Sequence, residues 1–517
     1  MHRISTIFFL LGMLVLLPAL VQAQRTVVIE PTAFGILNDT IDGDTTSNGD
    51  RVDLNTVYVL KRGQDSYYVL SRSIENRFPL TIVAEDGTGE KPKIVPGVVE
   101  GGSFRPFRPR DSLTLKGLYV SGRDQDGGIQ KNMFRVSAED AKIHIDDCHL
   151  DYDGQSAFRL DDSGISVFLT NTTVSNIGET LSMDNGRVID TRGNATDSLV
   201  AKNCTFYNIT SRAVRDGGGT IMYVNFDNCT FSNFGQHAIS FGQTVEGIFT
   251  NNLLINCQYL GNDNETAVPN SWVGVDSLAD SALAANYTQT FMISNNNFYL
   301  DPAMVAAYPD TVVAGPFFNA FAQKLVDESG TANTMLNEAL SFEDGPALPI
   351  DVMQAVWALN PEPPVMDDGG VPDFGNAGYG VVPFDFAYSQ SAASYTAGMD
   401  GQPLGDLNWF GMATSVENAE VNALPDAFRL TGNYPNPFNP STNIRFDLNK
   451  PAIVTITVYD NLGRKVMSTQ PEKMNAGNSQ VINLNAERLA TGMYTYRVNA
   501  NTGSANYVGY GRMLLLK

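Results

Sequence analysis

Leu199–Phe206 reads LVAKNCTF, and Val224–Phe231 reads VNFDNCTF. The two stretches start 25 residues apart and match position by position. Five further copies of this eight-residue unit surround them. They are Leu113–Val120 (LTLKGLYV), Ile143–Leu150 (IHIDDCHL), Val167–Val174 (VFLTNTTV), Ile248–Ile255 (IFTNNLLI) and Phe291–Phe298 (FMISNNNF). Positions 1 and 8 are apolar in all seven copies, and position 4 is polar in all seven. Position 5 is Gly117, Asp147, Asn171, Asn203, Asn228, Asn252 and Asn295. Gly, Asn and Asp enter the left-handed backbone region at the lowest cost. One such residue between two strands turns the chain sharply and changes which side chains face inward. Positions 1 and 3 then point to a core before the bend, and positions 6 and 8 after it. A single straight strand cannot do this, because its side chains alternate with a period of two.

The shortest intervals between copies, 24 and 25 residues, suit one circuit of a solenoid; the longer ones imply insertions at its corners. Each circuit advances about 4.8 Å, so seven give roughly 35 Å of stacked coils. Asn171, Asn203, Asn228, Asn252 and Asn295 are expected to stack as a structural ladder, and Phe206 to stack on Phe231. This repeat resembles the right-handed parallel β-helix family, which includes the pectate lyases and related polysaccharide lyases. The resemblance covers about residues 55–300. Within it, Leu80–Ile94 (LTIVAEDGTGEKPKI) is similar to the first coils of many secreted β-helices, and Gly401–Phe410 (GQPLGDLNWF) to a segment that follows the coils in some of them. The fold class implied is all-β: a β-helix solenoid, then a partly helical, irregular cap. Helical spacing is read over Phe318–Leu325, Thr334–Phe342 and Asp351–Leu359, and Asn360–Gly380 reads as loop. A cap removes the exposed core section and open strand edges of a bare solenoid end.

The chain of 517 residues carries a net charge of −22, which argues against a nucleic-acid partner. Its four His show no zinc spacing. His2 and Arg3 precede an apolar run from Ile7 to Leu17, and Val21-Gln22-Ala23 supplies small residues for cleavage after Ala23. Residues 1–23 therefore read as a signal peptide. No later stretch is long and apolar enough to cross a membrane as a helix. The expected divisions are the solenoid over 24–300, the cap over 301–412, a linker over 413–425 and a last domain over 426–517.

That last domain opens with Asn433–Pro440 (NYPNPFNP). Strands are read at Ser441–Leu448 and Ala452–Tyr459, a turn at Asp460–Gly463, and a further strand at Gly492–Val498, before the terminal Arg512–Lys517 (RMLLLK). The set resembles the type A sorting domain of the Bacteroidota type IX secretion system, a small Ig-like β-sandwich. The resemblance implies the type IX machinery as a partner and a secreted, extracellular or outer-membrane surface location.

Chemistry is sought on the third strand of each coil. Phe134-Arg135-Val136 and Phe158-Arg159-Leu160 place Arg between inward apolar residues, and Ala213-Val214-Arg215-Asp216 places Arg215 after one, at a similar offset. Arg135, Arg159 and Arg215 are thus candidate ligand-binding residues in one outward row, with Arg192 nearby. Asp161, Asp162, Asp190 and Asp216 flank them as candidate Ca²⁺ ligands. His237, at a corner, is either a candidate base or an ordinary corner residue. Two functions fit. One is a monomeric carbohydrate-binding, structural or adhesive surface protein. The alternative is a polysaccharide lyase that cleaves an acidic glycan by β-elimination, with Ca²⁺ on the uronate carboxylate and Arg135, Arg159, Arg192, Arg215 or His237 in the proton transfer. A flat ladder of mixed charges points to the first, and a groove with several carboxylates to the second. Cys148, Cys204 and Cys229 share repeat position 6, an inward slot, and read with Cys257 as buried thiols.

Overall fold

The computed structural model describes residues 24–100, 102, 104–178, 185–278, 289–357, 384–399, 401–412, 428–434, 438–448, 450–459, 465–502 and 506–517. The expected leader over 1–23, the loop over 360–380, the linker over 413–425 and the turn Asp460–Gly463 lie outside the described residues, the turn but for its neighbours.

Between Thr26 and Tyr299 the chain keeps returning to lie parallel to its own earlier strands. Two rows of strands share one sheet. In the first row Leu113, Ile143, Val167, Leu199, Val224, Gly247 and Phe291 pair in succession. In the second, Val120, Leu150, Val174, Phe206, Phe231, Leu254 and Phe298 do so. A separate sheet forms a third row from Phe134–Val136, Ser156–Leu160, Arg187–Asp190, Arg212–Arg215, Ile239–Ser240 and Val273–Gly274. The apolar residues of all three rows join one core. Phe206 and Phe231 stack at 5.1 Å between ring centroids.

The bend residues are left-handed at Gly117, Asp147, Asn171, Asn203, Asn228 and Asn295, with φ between 49° and 71°. The sixth copy corrects the sequence reading. There the left-handed residue is Asn251, with φ 59°, and Asn252 points inward. Phe226 faces Phe249 and Asp227 faces Thr250, so the unit is Gly247–Leu254, one residue earlier than its apolar pattern suggests. Gly247 takes position 1 because the Phe291 ring fills its place: a Cβ there would lie 2.2 Å from that ring. Asn252 instead follows Cys148, Thr172, Cys204 and Cys229 in the inward slot. Its Oδ1 accepts the Cys229 N–H at 2.9 Å, and its Nδ2 donates to the Phe226 carbonyl at 3.1 Å. Asn296 repeats the motif one coil on, accepting the Asn252 N–H at 2.9 Å.

A different outcome is therefore expected at neighbouring asparagines. Asn252→Ala strands a buried N–H and a buried carbonyl and should cost about 2–4 kcal/mol. Asn251→Gly keeps the left-handed backbone open and should cost about 1 kcal/mol. Urea unfolding of both variants checks the order, and a reversed order would return the bend to Asn252.

A second left-handed column lies five residues after the first, at Tyr152, Asn176, Asn208, Asn233 and Asn256. Here the amides do form a ladder: Asn233 Nδ2 donates to Asn208 at 3.2 Å, and Asn208 Nδ2 to Asn176 at 3.4 Å.

Both ends of the stack are covered. Helix Ile36–Gly43 buries Leu37 and Ile41 against the first coils. At the far end, helix Ala320–Ser329 buries Ala322 and Val326, and Phe317 and Phe318 pack beside Phe298. Thr334–Phe342 is not the expected helix. It is largely extended, because Leu336 bridges to Asn297 as a further parallel rung. The segment Gly401–Phe410 also departs from the expected cap over the end. With residues 397–399 it runs along the flank, bound to successive corners: Asn295 Nδ2 donates to Ala397 O at 2.8 Å, Asn228 Nδ2 to Gly405 O at 3.2 Å, and Asn408 Nδ2 to Asn203 O at 3.1 Å.

In the C-terminal region the pairing turns antiparallel. Phe428–Tyr434, Ser441–Leu448 and Gly477–Asn485 make one sheet, and a second is built on Ala452–Tyr459, Gly492–Asn501 and Asn506–Leu515. Ile444, Phe446 and Leu484 meet Val454, Val458, Tyr496 and Val498 in a shared core. The end of the chain belongs to it: Met513 and Leu515 are buried.

Candidate functional site: an arginine row

The third row of strands positions the candidate arginines. Beneath it, Phe107, Phe134 and Phe158 stack at 5.0 and 4.8 Å with nearly parallel rings. This column fixes the rung spacing and turns the next residue of each strand outward. Arg135 pairs with Arg159, Arg159 with Asp190, and Asp190 with Arg215. Phe107 also bridges Ile74 and Phe134, so Glu75 and Arg108 extend the row before Arg135.

Each of these arginines meets a carboxylate. Arg159 Nε donates to Asp161 at 2.7 Å, and Arg135 Nε donates to the other oxygen of Asp161. Arg108 meets Glu75 at 2.9 Å. Asp190 is 2 % exposed and gathers Arg187 at 3.1 Å, Arg215 at 3.1 Å and Arg192 at 3.9 Å. Burial would raise the Asp161 pKa, but the bonds from Arg159 and Arg135 outweigh it and hold the carboxyl below its ordinary range.

Cation density is highest at the start of the row. Arg105 is half-buried, and its guanidinium is pushed down by burial and then by Arg135 and Arg108, with Arg159 adding to the effect. Arg135 and Arg159 thus share the Asp161 carboxylate and Arg108 takes Glu75, while Arg105 lies near all three, with the buried Asp153 carboxylate also within its influence. Sequence reading missed Arg105 and Arg108, although Phe104–Arg110 (FRPFRPR) repeats the Phe-Arg pair of the later coils. It also missed Arg187, whose side chain is 6 % exposed.

The remaining candidates scatter. Arg192 has φ 60° and occupies a corner beyond the row. Val214 faces Ile239, so His237 falls in line with Arg212, away from Arg215; it is half-buried. Asp162 is exposed at a corner. Asp216 accepts Ser240 Oγ at 2.8 Å and the Gly218 N–H at 2.9 Å. The four Asp are not drawn into one oxygen cage, since Asp161 and Asp190 are turned onto arginines. Among the described residues no group of three or more His, Cys, Asp or Glu is placed to hold a metal ion. All four cysteines are free and buried, and burial raises the Cys148 thiol to about 12, so it is chemically quiet.

Comparison with known proteins bears on the other end of the chain. Residues 433–507 match the secretion system C-terminal sorting domain family. No curated protein matches the chain. Among solved structures, the dimeric latent PorU from Porphyromonas gingivalis is similar at 22 % identity, covering 18 % of this chain and 9 % of that one, with a TM-score of 0.16. No described helix is long and apolar enough to span a membrane. The chain ends in a type IX secretion sorting domain, and the protein is a secreted one of the kind that this system attaches to the cell surface.

Proposed function

We propose that the solenoid is a right-handed parallel β-helix that binds an acidic polysaccharide along its arginine row and acts as a carbohydrate-binding, adhesive or structural protein at the cell surface. The sharing of one carboxylate, Asp161, by Arg135 and Arg159, with Arg108 next to them in the row, is the observation that carries this reading. A surplus of planar donors on a chain of net charge −22 has a physical use if an anion completes the set. Carboxylate and sulfate accept the guanidinium fork in two parallel bonds. Holding is favoured over cleavage. A guanidinium keeps its proton at any working pH and makes a poor base. Among the described residues of the row, Asp161 and Asp190 are both engaged by arginines, which leaves them poor ligands for the Ca²⁺ that β-elimination would use.

The test is binding of the full mature chain to pectate, alginate and a sulfated glycosaminoglycan, with a neutral glucan as control. The double variant Arg135→Ala/Arg159→Ala should lower affinity for the preferred acidic glycan at least about tenfold. Added salt should weaken binding, as screened surface charges require. Absence of binding to every acidic glycan would overturn the proposal. Growth of unsaturated-product absorbance would replace it with the lyase.

A further inference from the structure

The arginine row does not fade out at its start but runs into a cavity. The cavity has a volume of about 520 Å³, within the range of small-molecule sites. Arg108 belongs to both, since it lines the cavity and precedes Arg135 in the row. Ile41 and Ile74 give the cavity an apolar wall, and Phe104 gives it an aromatic one. Ile41 comes from helix Ile36–Gly43, which closes this end of the coils, so the row is blocked beyond the cavity.

One lining cation is loosely held and can take an anion. Arg72, Arg77 and Arg108 face Asp42 and Glu75. Arg72 is tied to Asp42 and to Asp39 at 3.3 Å and so is already engaged, and Arg108 meets Glu75 at 2.9 Å. Arg77 is held more loosely: its side chain is 77 % exposed and its contact to Glu75 is 3.8 Å. It can turn toward a ligand with little loss, because so exposed an ion pair contributes little.

We infer that this cavity receives the terminal sugar of the acidic glycan, so that the protein binds chain ends and not chain interiors. This rests on the polysaccharide reading above. The terminal pyranose lays its C–H face on Phe104, and its carboxylate meets Arg77 and Arg108. The chain behind it continues over Arg135 and Arg159. The helix wall prevents an internal segment from seating in the same way.

The experiment is calorimetric titration of the full mature chain with oligogalacturonates and oligomannuronates of defined length. Each is used unmodified, blocked at its reducing end, or blocked at its non-reducing end. Blocking one of the two ends should lower affinity about tenfold or more, while blocking the other changes little. Arg77→Ala and Phe104→Ala should each weaken the unmodified chain and add little further loss for the sensitive blocked one. Arg77 is exposed, so its variant keeps the test open if Phe104→Ala fails to fold. Equal affinity for blocked and unmodified chains, with Arg135→Ala/Arg159→Ala still lowering affinity about tenfold or more, overturns the end-recognition inference and leaves the polysaccharide reading standing. Absence of uronate-oligomer binding by the unaltered protein also overturns the end-recognition inference, and the polysaccharide reading falls with it only if the sulfated glycosaminoglycan fails to bind as well.

Discussion

Phe134→Ala is expected to cost about 3–5 kcal/mol, the range for removing a fully buried aromatic side chain. Phe134 is 0 % exposed and is the middle ring of the column Phe107–Phe134–Phe158. Its removal forfeits two stacked contacts at once and opens a gap that two rigid rings cannot close by rotating. The cavity term therefore adds fully to the lost burial. Phe134→Leu fills part of the space and should cost clearly less. Because coils contact mainly their neighbours, the damage should be local before it is global. Hydrogen exchange should rise first in the strands at Phe134–Val136 and Ser156–Leu160, and equilibrium unfolding in urea should give the total. The rings also set the spacing of Arg135 and Arg159, so affinity for the acidic glycan should fall although Phe134 touches no ligand. A cost below about 1 kcal/mol would mean that the column is not a structural support.

Asp190→Ala should be comparably severe, at about 3–5 kcal/mol, because it removes one partner of a buried ion cluster. Asp190 is 2 % exposed and Arg187 6 % exposed, so the variant takes a carboxylate away from a guanidinium in a poorly solvated place. Arg215 and Arg192 also lose a partner, but they are 30 % and 42 % exposed and recover water. Most of the loss should therefore trace to Arg187. The double variant Arg187→Leu/Asp190→Leu isolates that cause: with no buried charge left, it should recover much of the stability. If the double variant is no more stable than Asp190→Ala, the loss comes from packing and not from the charge that has lost Asp190. Asp161→Ala provides the contrast. Its arginines are 37 % and 24 % exposed, and its removal should cost far less.

Two kinds of pattern were legible without coordinates. Short-range periodicity was one: an apolar residue at positions 1 and 8 with a left-handed residue at 5 gives strand, bend and strand. The tail was the other, through NYPNPFNP and the terminal RMLLLK. The bend slipped by one residue where two asparagines adjoin. Asn251 and Asn252 are chemically identical, and only the partner strand, through Phe226 facing Phe249, separates the left-handed one from the inward one. The second column was visible in principle, since Asn203 and Asn208 recur as Asn228 and Asn233. It was obscured because Tyr152 fills the same role with φ 56°, a conformation that a tyrosine seldom adopts.

The candidate site divided in the same way. Arg135, Arg159 and Arg215 could be placed in a row because strand alternation fixes which side of the sheet a residue faces. Their pairing with Asp161 and Asp190 could not, since a salt bridge between coils depends on the register of strands some 25 residues apart. By itself the sequence determined the bend-and-strand unit, the alternation of core and surface along it, and the export signal at the end of the chain, all of which are local properties of backbone and side-chain period. Only the tertiary structure decided which carboxylate neutralises which arginine, where helix Ile36–Gly43 closes the row into a cavity, and how the segment around Gly405 comes to lie on Asn228. Those contacts join residues far apart in the chain, and no repeating pattern marks their partners in advance.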